Sequence, residues 1–326
     1  MKVLVTGASG MLGGTVADLL AERGDDVTVM QRRAAGGKHR ERLGDISSAD
    51  DVDRAVADHD AIIHLAAKVN VTGRWADYQR TNIGGTQNIV EAAQRHGVRR
   101  LVQVSSPSVA HSGRSISGDG ANPADPHSAR GNYARSKAAA ELLALAAHSD
   151  ELAVTAVRPH LVWGPGDTQL VGRIVARAKS GRLPLIGSGA ALVDTTYVDN
   201  AASAIVAALD RAEHAGGRAW VVTNGEPRPI GELIGDICRA SGAPAPTRRV
   251  PFALAYAAGA LVESAMEVSQ RIPGLPSIDE PPLTRFLAEQ LSTAHWFDQR
   301  QTQAALAWKP HLRLAEGFNA LSAASE

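Results

Sequence analysis

Tyr133 and Lys137 stand four residues apart in Tyr133-Ala134-Arg135-Ser136-Lys137, a spacing that places both on one face of a helix. A phenol ionises near ~10 and is a poor base at neutral pH on its own. A neighbouring ammonium favours the phenolate and draws that pKa toward the working range, which suits proton transfer to or from a substrate oxygen. Upstream lies Ser105-Ser106-Pro107-Ser108-Val109. A hydroxyl at the carboxyl end of a parallel strand faces the crevice where α/β sheets bind ligands. There it can donate a hydrogen bond to a carbonyl oxygen that gains negative charge. Alone, such a serine pair is more often turn chemistry; beside Tyr133 and Lys137 it suits interconversion of a ketone and an alcohol.

Such chemistry needs a hydride partner, and the amino terminus offers a place for one. Thr6-Gly7-Ala8-Ser9-Gly10-Met11-Leu12-Gly13 joins an expected strand to an expected helix. In this setting the first glycine permits the tight turn, the second lets backbone approach a pyrophosphate, and the third lets helix and strand pack closely. The helix amino terminus supplies free N–H groups and a positive dipole for the phosphates. An NAD site usually ends its second strand with a carboxylate for the ribose hydroxyls. This chain has Met30-Gln31-Arg32-Arg33 there instead. A guanidinium at Arg32 or Arg33 suits a 2′-phosphate, so NADP is favoured over NAD. Asp45 sits where the next connection reaches the adenine, with Ile46 placed to pack on it.

The elements that hold these residues alternate. Strands are expected at Val3–Val5, Val27–Met30, Ala61–Leu65, Leu101–Val104 and Ala153–Val157. Helices are expected at Met11–Arg23, from Ser48 to Ala57 behind a capping box with Asp51, at Asn82–His96 and at Asn132–His148. The segment Gln31–Arg42, with five basic residues against one acidic, reads as a solvated, mobile loop. Alternation with short connections predicts an α/β fold, a Rossmann-type doubly wound parallel sheet covered on both faces. Residues 1–160 form the nucleotide-binding domain, with sheet-packing elements returning at about 193–224. Residues 161–192 and 225–326 form a smaller carboxy-terminal substrate lobe, punctuated by prolines from Pro227 to Pro282.

Composition bounds the partners. Lys+Arg and Asp+Glu each total 34, a net charge of zero that argues against nucleic acid. A hydrophobic content of 44% excludes a disordered chain. Cys238 is the single cysteine, so no intrachain disulfide forms and a reducing compartment fits. The apolar run Met1–Thr6 is too short for a signal peptide, and residence in the cytoplasm is expected. Val250–Val262 is too short to span a bilayer. It reads as a buried or substrate-lining helix, or, with Arg248 and Arg249 before it, as a peripheral membrane contact. No metal site is expected.

Taken in order, the TGxxGxxG loop, His64-Leu65-Ala66-Ala67, Asn82-Ile83-Gly84-Gly85-Thr86, Ser105-Ser106, Tyr133-x-x-x-Lys137 and Arg158-Pro159 resemble the extended short-chain dehydrogenase/reductase superfamily over nearly the whole chain. The resemblance implies that Tyr133 is the acid/base, that Lys137 orients the ribose and tunes Tyr133, and that Ser106 binds the substrate oxygen. Ser106 is preferred because it lies three before Val109, as in the family's S-x-x-V pattern. Further implied cofactor contacts are Gly7, Ser9, Gly10, Met11, Leu12, Gly13, Arg32, Arg33, Asp45, Ile46, His64, Leu65, Ala66, Ala67, Asn82, Pro159, Leu161 and Val162. His64 also suits a satisfied core histidine. Ser108, His160 and Trp163 are implied on the substrate side. A homodimer built on the Asn82 and Asn132 helices is typical of the family.

Val109-Ala110-His111 replaces the V-Y-G that nucleotide-sugar epimerases usually carry. Val193–Asn200, Pro281–Leu287 and Leu291–Asp298 resemble the bacterial 3β-hydroxysteroid dehydrogenase-like branch, which includes 2-alkyl-3-oxoalkanoate reductases. A bulky, lipophilic substrate follows from that branch. Asp199 also reads as a helix N-cap, and Trp296 as core. A nucleotide-sugar epimerase or dehydratase, or a non-catalytic NADP-sensing regulator, would share the glycine loop; the regulator would need no Tyr/Lys pair.

Overall fold

A computed structural model describes residues 1–69, 73–271 and 283–325, with side chains in 267–271 left out of account. Pro281 and Pro282 of the carboxy-terminal motif lie outside the described residues. Along the chain run β1 (Lys2–Thr6), α1 (Met11–Glu22), β2 (Asp26–Gln31), β3 (Arg40–Leu43), α2 (Ala49–Val56), β4 (Ala61–His64), α3 (Trp75–Tyr78), a π-helical turn (Gln79–Gly84), α4 (Gly85–Arg95) and β5 (Arg100–Val104). A 3₁₀ turn (Pro107–Ala110), β6 (Ile116–Asp119), α5 (Gly131–Ala146) and β7 (Ala153–Pro159) follow. Then come β8 (Val162–Trp163), α6 (Val171–Lys179), β9 (Leu185–Ile186), β10 (Leu192–Val193), β11 (Thr196–Tyr197), α7 (Val198–Asp210), α8 (Ala212–Ala215), β12 (Ala219–Val222) and β13 (Arg228–Pro229). The chain closes with α9 (Ile230–Ala240), β14 (Arg249–Val250), α10 (Phe252–Arg271), α11 (Arg285–Gln290), β15 (His295–Phe297), α12 (Arg300–Leu306) and α13 (Leu314–Ala323).

Seven parallel strands form one sheet in the order β12-β7-β5-β4-β1-β2-β3. The order reverses between β1 and β4, and ligands of open α/β sheets bind at that point, outside the carboxyl ends of the strands. The central strands are apolar on both faces because helices cover both. Val3, Val5, Ile63 and Val102 pack under α1 and α7, whereas Leu4, Ile62, Leu101 and Val154 pack under α2 and α4. A third core lies in the carboxy-terminal lobe, around Trp163, Leu233, Ile237 and Leu314.

The basic segment after β2 departs from expectation. Arg40–Leu43 is a strand, paired in register with Thr28–Gln31. The segment's one carboxylate organises the rest: Glu41 Oε1 accepts from Gln31 Nε2 at 2.9 Å, Ala35 N at 3.2 Å and Gly37 N at 3.4 Å. Lys38 and His39 reach Asp18 on α1 at 3.2 and 2.7 Å. A charged, half-exposed strand carries no apolar run, so charge alone made it look like loop.

A second sheet, β13-β10-β15-β6, draws distant segments together. His295 of β15 lies beside Ile116 on one side and Val193 on the other. It folds the end of the chain over the carboxyl edge of the main sheet. Asp199 is not a cap: Tyr197 holds that position, and Asp199 falls inside the first turn of α7. Trp296 packs over Gly118, where an added Cβ would meet its ring at 2.8 Å. Among the described residues no helix is long and apolar enough to cross a membrane.

Candidate active site

The glycine loop caps β1 at the switch point. Gly7 has φ +81°, and a Cβ there would come within 2.8 Å of Ala66 N. A Cβ on Gly13 would come within 2.3 Å of Gly7 O, an impossible contact, whereas one on Gly10 would meet its nearest atom at 3.5 Å. The loop and α1 are thus pressed together, with Ser9 and Gly10 exposed at the rim and Met11 and Leu12 half-buried behind them. Leu65, Ala66 and Ala67 form the facing wall, held when Leu65 N and Ala66 N donate to Thr6 O and Thr6 Oγ1 at 3.2 and 3.1 Å. This bare backbone cradle at a helix amino terminus fits a dinucleotide pyrophosphate.

The adenosine end is charged. Arg32 and Arg33 are exposed. Asp45 accepts from Ser47 N and Oγ at 2.9 and 2.8 Å. Burial opposes its charge, but those hydrogen bonds and the Arg32 and Arg80 guanidiniums win and lower its pKa. Ile46 is core: its side chain fills the space over Gly85, where a Cβ would meet Ile46 Cδ1 at 2.8 Å.

Two expected cofactor contacts also serve as internal struts. His64 is 1% exposed, with Nδ1 2.8 Å from Thr6 Oγ1 and Nε2 3.3 Å from Thr86 Oγ1. Thr86 gives its own proton to Asn82 O at 2.7 Å, so it must accept from His64 Nε2–H. Burial, helped by Lys137, lowers the His64 pKa to about 3 and keeps the ring neutral. Asn82 is equally committed: Oδ1 accepts from Lys68 N at 2.7 Å, and Nδ2 donates to Lys68 O and Ser136 Oγ at 3.2 and 2.9 Å. It ties the segment after β4 to α5 and has no polar atom to spare.

Tyr133 and Lys137 lie in the first two turns of α5. That helix is anchored to β7 by a buried ion pair: Arg158 Nε donates to Glu141 Oε2 at 2.8 Å, Nη2 bonds Glu141 Oε1, and Nη1 donates to Asn122 O at 2.6 Å. Lys137 Nζ donates to Val104 O at the end of β5 at 2.6 Å. Burial pulls the Lys137 pKa down to about 8, with the Glu141 charge opposing. Serine hydroxyls link to the phenol: Ser108 Oγ donates to Ser106 Oγ at 3.0 Å, and Ser106 hydrogen-bonds Tyr133. The Tyr133 phenol is pushed up to about 12 by burial, against the lowering effect of Ser106. Its surroundings in the cofactor-free chain therefore run opposite to the expected depression.

Ser106, Ser108 and Tyr133 open onto a cavity of about 350 Å³, within the ~300–1,000 Å³ common for small-molecule sites. It runs into the carboxy-terminal lobe between Leu170 and Ile174 at the start of α6, Ile230 to Ile237 of α9, and Phe286 and Leu287 of α11. His160 and Leu161 line it at the end of β7. Leu161 holds φ +44°, an uncommon conformation for a branched side chain, where the chain leaves the sheet for the lobe. Pro159 is buried at the end of β7, and Val162 pairs with Thr196. Trp163 does not reach the cavity. It is fully buried, its Nε1 donates to Thr195 Oγ1 at 3.0 Å, and it stacks on Phe318 with centroids 4.6 Å apart. Sequence reasoning missed His295 as a cavity residue and saw His111 only as a departure from V-Y-G; no local signal shows that β15 brings the two together.

The family model described as the NAD dependent epimerase/dehydratase family matches residues 3–223. The chain belongs to that family. It is 40% identical to the 2-alkyl-3-oxoalkanoate reductase of Stenotrophomonas maltophilia, with 100% of this chain and 99% of that one covered. It is 30% identical to a 3-beta-hydroxysteroid dehydrogenase of Mycolicibacterium neoaurum, covering 95% and 87%. Among solved structures, MoeE5 in complex with UDP-glucose and NAD superposes with a TM-score of 0.75 at 24% identity, over 99% and 98% of the two chains; that likeness concerns the fold. This family member is an extended short-chain oxidoreductase, and NAD(P) is the cofactor typical of its kind.

Proposed function

We propose that the protein reduces the ketone of a 2-alkyl-3-oxoalkanoate to a secondary alcohol, with NADPH as reductant. The observation that carries this reading is the apolar cavity that begins at Ser106 and Tyr133 and continues between α6, α9 and α11. A branched acyl substrate would place its ketone at the serine–tyrosine end and its chains along Leu170, Ile174 and Ile234. The full-length likeness to the Stenotrophomonas reductase supports the same class.

When bound, the nicotinamide supplies the hydride. Ser106 donates a hydrogen bond to the ketone oxygen and favours its developing charge. Tyr133, protonated at neutral pH, delivers the proton that completes the alcohol. Lys137, mostly cationic at neutral pH, stands one helical turn away and holds the Val104 carbonyl. Ordered Lys38, His39 and Glu41 leave Arg32 and Arg33 as the guanidiniums without a salt bridge near the adenosine end, among the described residues. That supports NADP rather than NAD.

A panel of 2-alkyl-3-oxo acids and sterols followed by NAD(P)H absorbance tests the assignment. We expect the oxo acids to turn over and Tyr133→Phe to lose about 10²-fold or more of the rate with cofactor affinity kept. Turnover of sterols alone, or a near-wild-type Tyr133→Phe, defeats it.

A further inference from the structure

Three imidazoles in the cavity wall have no task in the reaction above. His111, His160 and His295 are 2%, 6% and 2% exposed and all line the cavity. His111 ends the turn that begins at Ser106, His160 leaves β7, and His295 opens β15. The ring centroids of His111 and His295 are 4.7 Å apart, and those of His160 and His295 are 6.2 Å apart.

Hydrogen bonding assigns two tautomers. His160 Nδ1 donates to Asp194 O at 2.7 Å. Thr293 Oγ1 gives its proton to Glu289 O at 2.7 Å, so at 3.2 Å from His295 Nε2 it accepts from that ring. His295 Nδ1 is then a lone pair, buried and, among the described residues, unpartnered, and neither nitrogen of His111 has a partner among them. A buried polar group left unbonded is costly, so a ligand that bonds it is favoured. Protein groups nearby do not relieve this. Arg130, which faces His111, is 3.7 Å from Glu289. The Asp194 carboxylate accepts from Thr223 Oγ1 and Glu226 N at 3.0 and 3.2 Å. Arg173 and Arg177 stand in the cavity wall and have partners of their own.

We propose that His111 and His295 form the seat for the substrate's carboxyl group, two carbons along the chain from the ketone that Ser106 and Tyr133 hold. The inference rests on the 2-alkyl-3-oxo acid reading. His111 donates an N–H to the carboxylate. His295 takes a proton from solvent onto Nδ1 and donates it to the same group, so each acid bound brings one proton with it. Rotation of His111 about its Cβ–Cγ bond, against the edge of Phe286 at 6.2 Å, presents its nitrogen to the cavity. Without the anion, burial holds His111 near 4 and His295 near 3, both neutral. The carboxylate reverses that preference locally.

The test is calorimetry of the NADPH-bound enzyme with the 2-alkyl-3-hydroxy acid, a dead-end complex, in two buffers of different ionisation enthalpy, and with its methyl ester. We expect about one proton taken up with the acid and none with the ester. His295→Gln should abolish the uptake, and His111→Gln should weaken acid binding by about tenfold or more while sparing the ester, which also shows that the variants fold. Acid binding without proton uptake, or acid and ester bound alike by wild type and variants, overturns the carboxyl seat. If neither acid nor ester binds while a 3β-hydroxysteroid does, the substrate reading fails and the seat falls with it.

Discussion

Replacing Glu141 with Gln should unfold this protein more readily than any surface change and shift the pH dependence of its catalysis. Arg158 and Glu141 are 2% and 1% exposed, and their bidentate contact joins α5 to β7. Glu141→Gln keeps the shape but leaves a guanidinium buried without its counter-charge, a loss of about 3–5 kcal/mol. At roughly 1.5 °C per kcal/mol for a chain of this size, Tm should fall by about 4–8 °C. The partner variant Arg158→Met should suffer similarly. The double variant Glu141→Leu/Arg158→Met should recover most of the loss, because two apolar side chains need no desolvation of charge; it still forfeits the bond to Asn122 O. A second effect follows from Lys137, one turn earlier, whose pKa the Glu141 charge props up. In Glu141→Gln that pKa drops below about 8, so the limb of the kcat–pH profile that reports Lys137 moves to lower pH. Urea unfolding of the four proteins, with pH profiles for wild type and Glu141→Gln, checks both. A Glu141→Gln protein within about 1 kcal/mol of wild type, or a double variant weaker than both singles, would refute the reasoning.

Gly13→Ala should cost stability and weaken NADPH binding, because its Cβ would lie 2.3 Å from Gly7 O, whereas Gly10→Ala, with 3.5 Å of room, should leave the fold intact; thermal shift and fluorescence titration compare them. Arg32→Ala with Arg33→Ala should raise KM for NADPH by about tenfold or more with little change for NADH, at about 1–3 kcal/mol for lost charge-assisted bonds. Burial raises the Asp194 pKa to about 6. A folded-state pKa above the unfolded one favours folding below about 3.8, and that contribution is lost as pH rises through about 6. Asp194→Asn should therefore flatten the fall in Tm between about pH 4 and 6, and an unchanged slope would exclude Asp194 as its source.

Most of the sheet could be read from apolar runs, because strands buried on both faces, such as Ala61–His64, have little choice but to be apolar. The edge strand Arg40–Leu43 escaped for the opposite reason. The glycine loop and the Tyr133/Lys137 pair were readable because their spacing is local. His64 and Asn82 were harder, since a polar residue that braces a site and one that touches a ligand share the same sequence neighbourhood. Only the partners tell them apart: Thr6 and Thr86 for His64, Lys68 and Ser136 for Asn82. Trp163 followed the residues flanking β7 into the core because β8 turns it toward Phe318. The joining of His111 to His295 depends on a parallel pairing between β6 and β15, segments far apart in the chain.

The open edge of the main sheet carries one more consequence. β3 ends the strand order, and among the described residues its outer side has no neighbour in that sheet. A free strand edge is a template for another chain. Here the template reads Arg-Glu-Arg-Leu, and two such edges would bring like guanidiniums into contact. The residues that made this stretch hard to recognise as a strand therefore protect the protein from polymerising through it. Replacing Arg40 and Arg42 with Thr or Val would strengthen the strand while exposing the molecule to edge-to-edge aggregation.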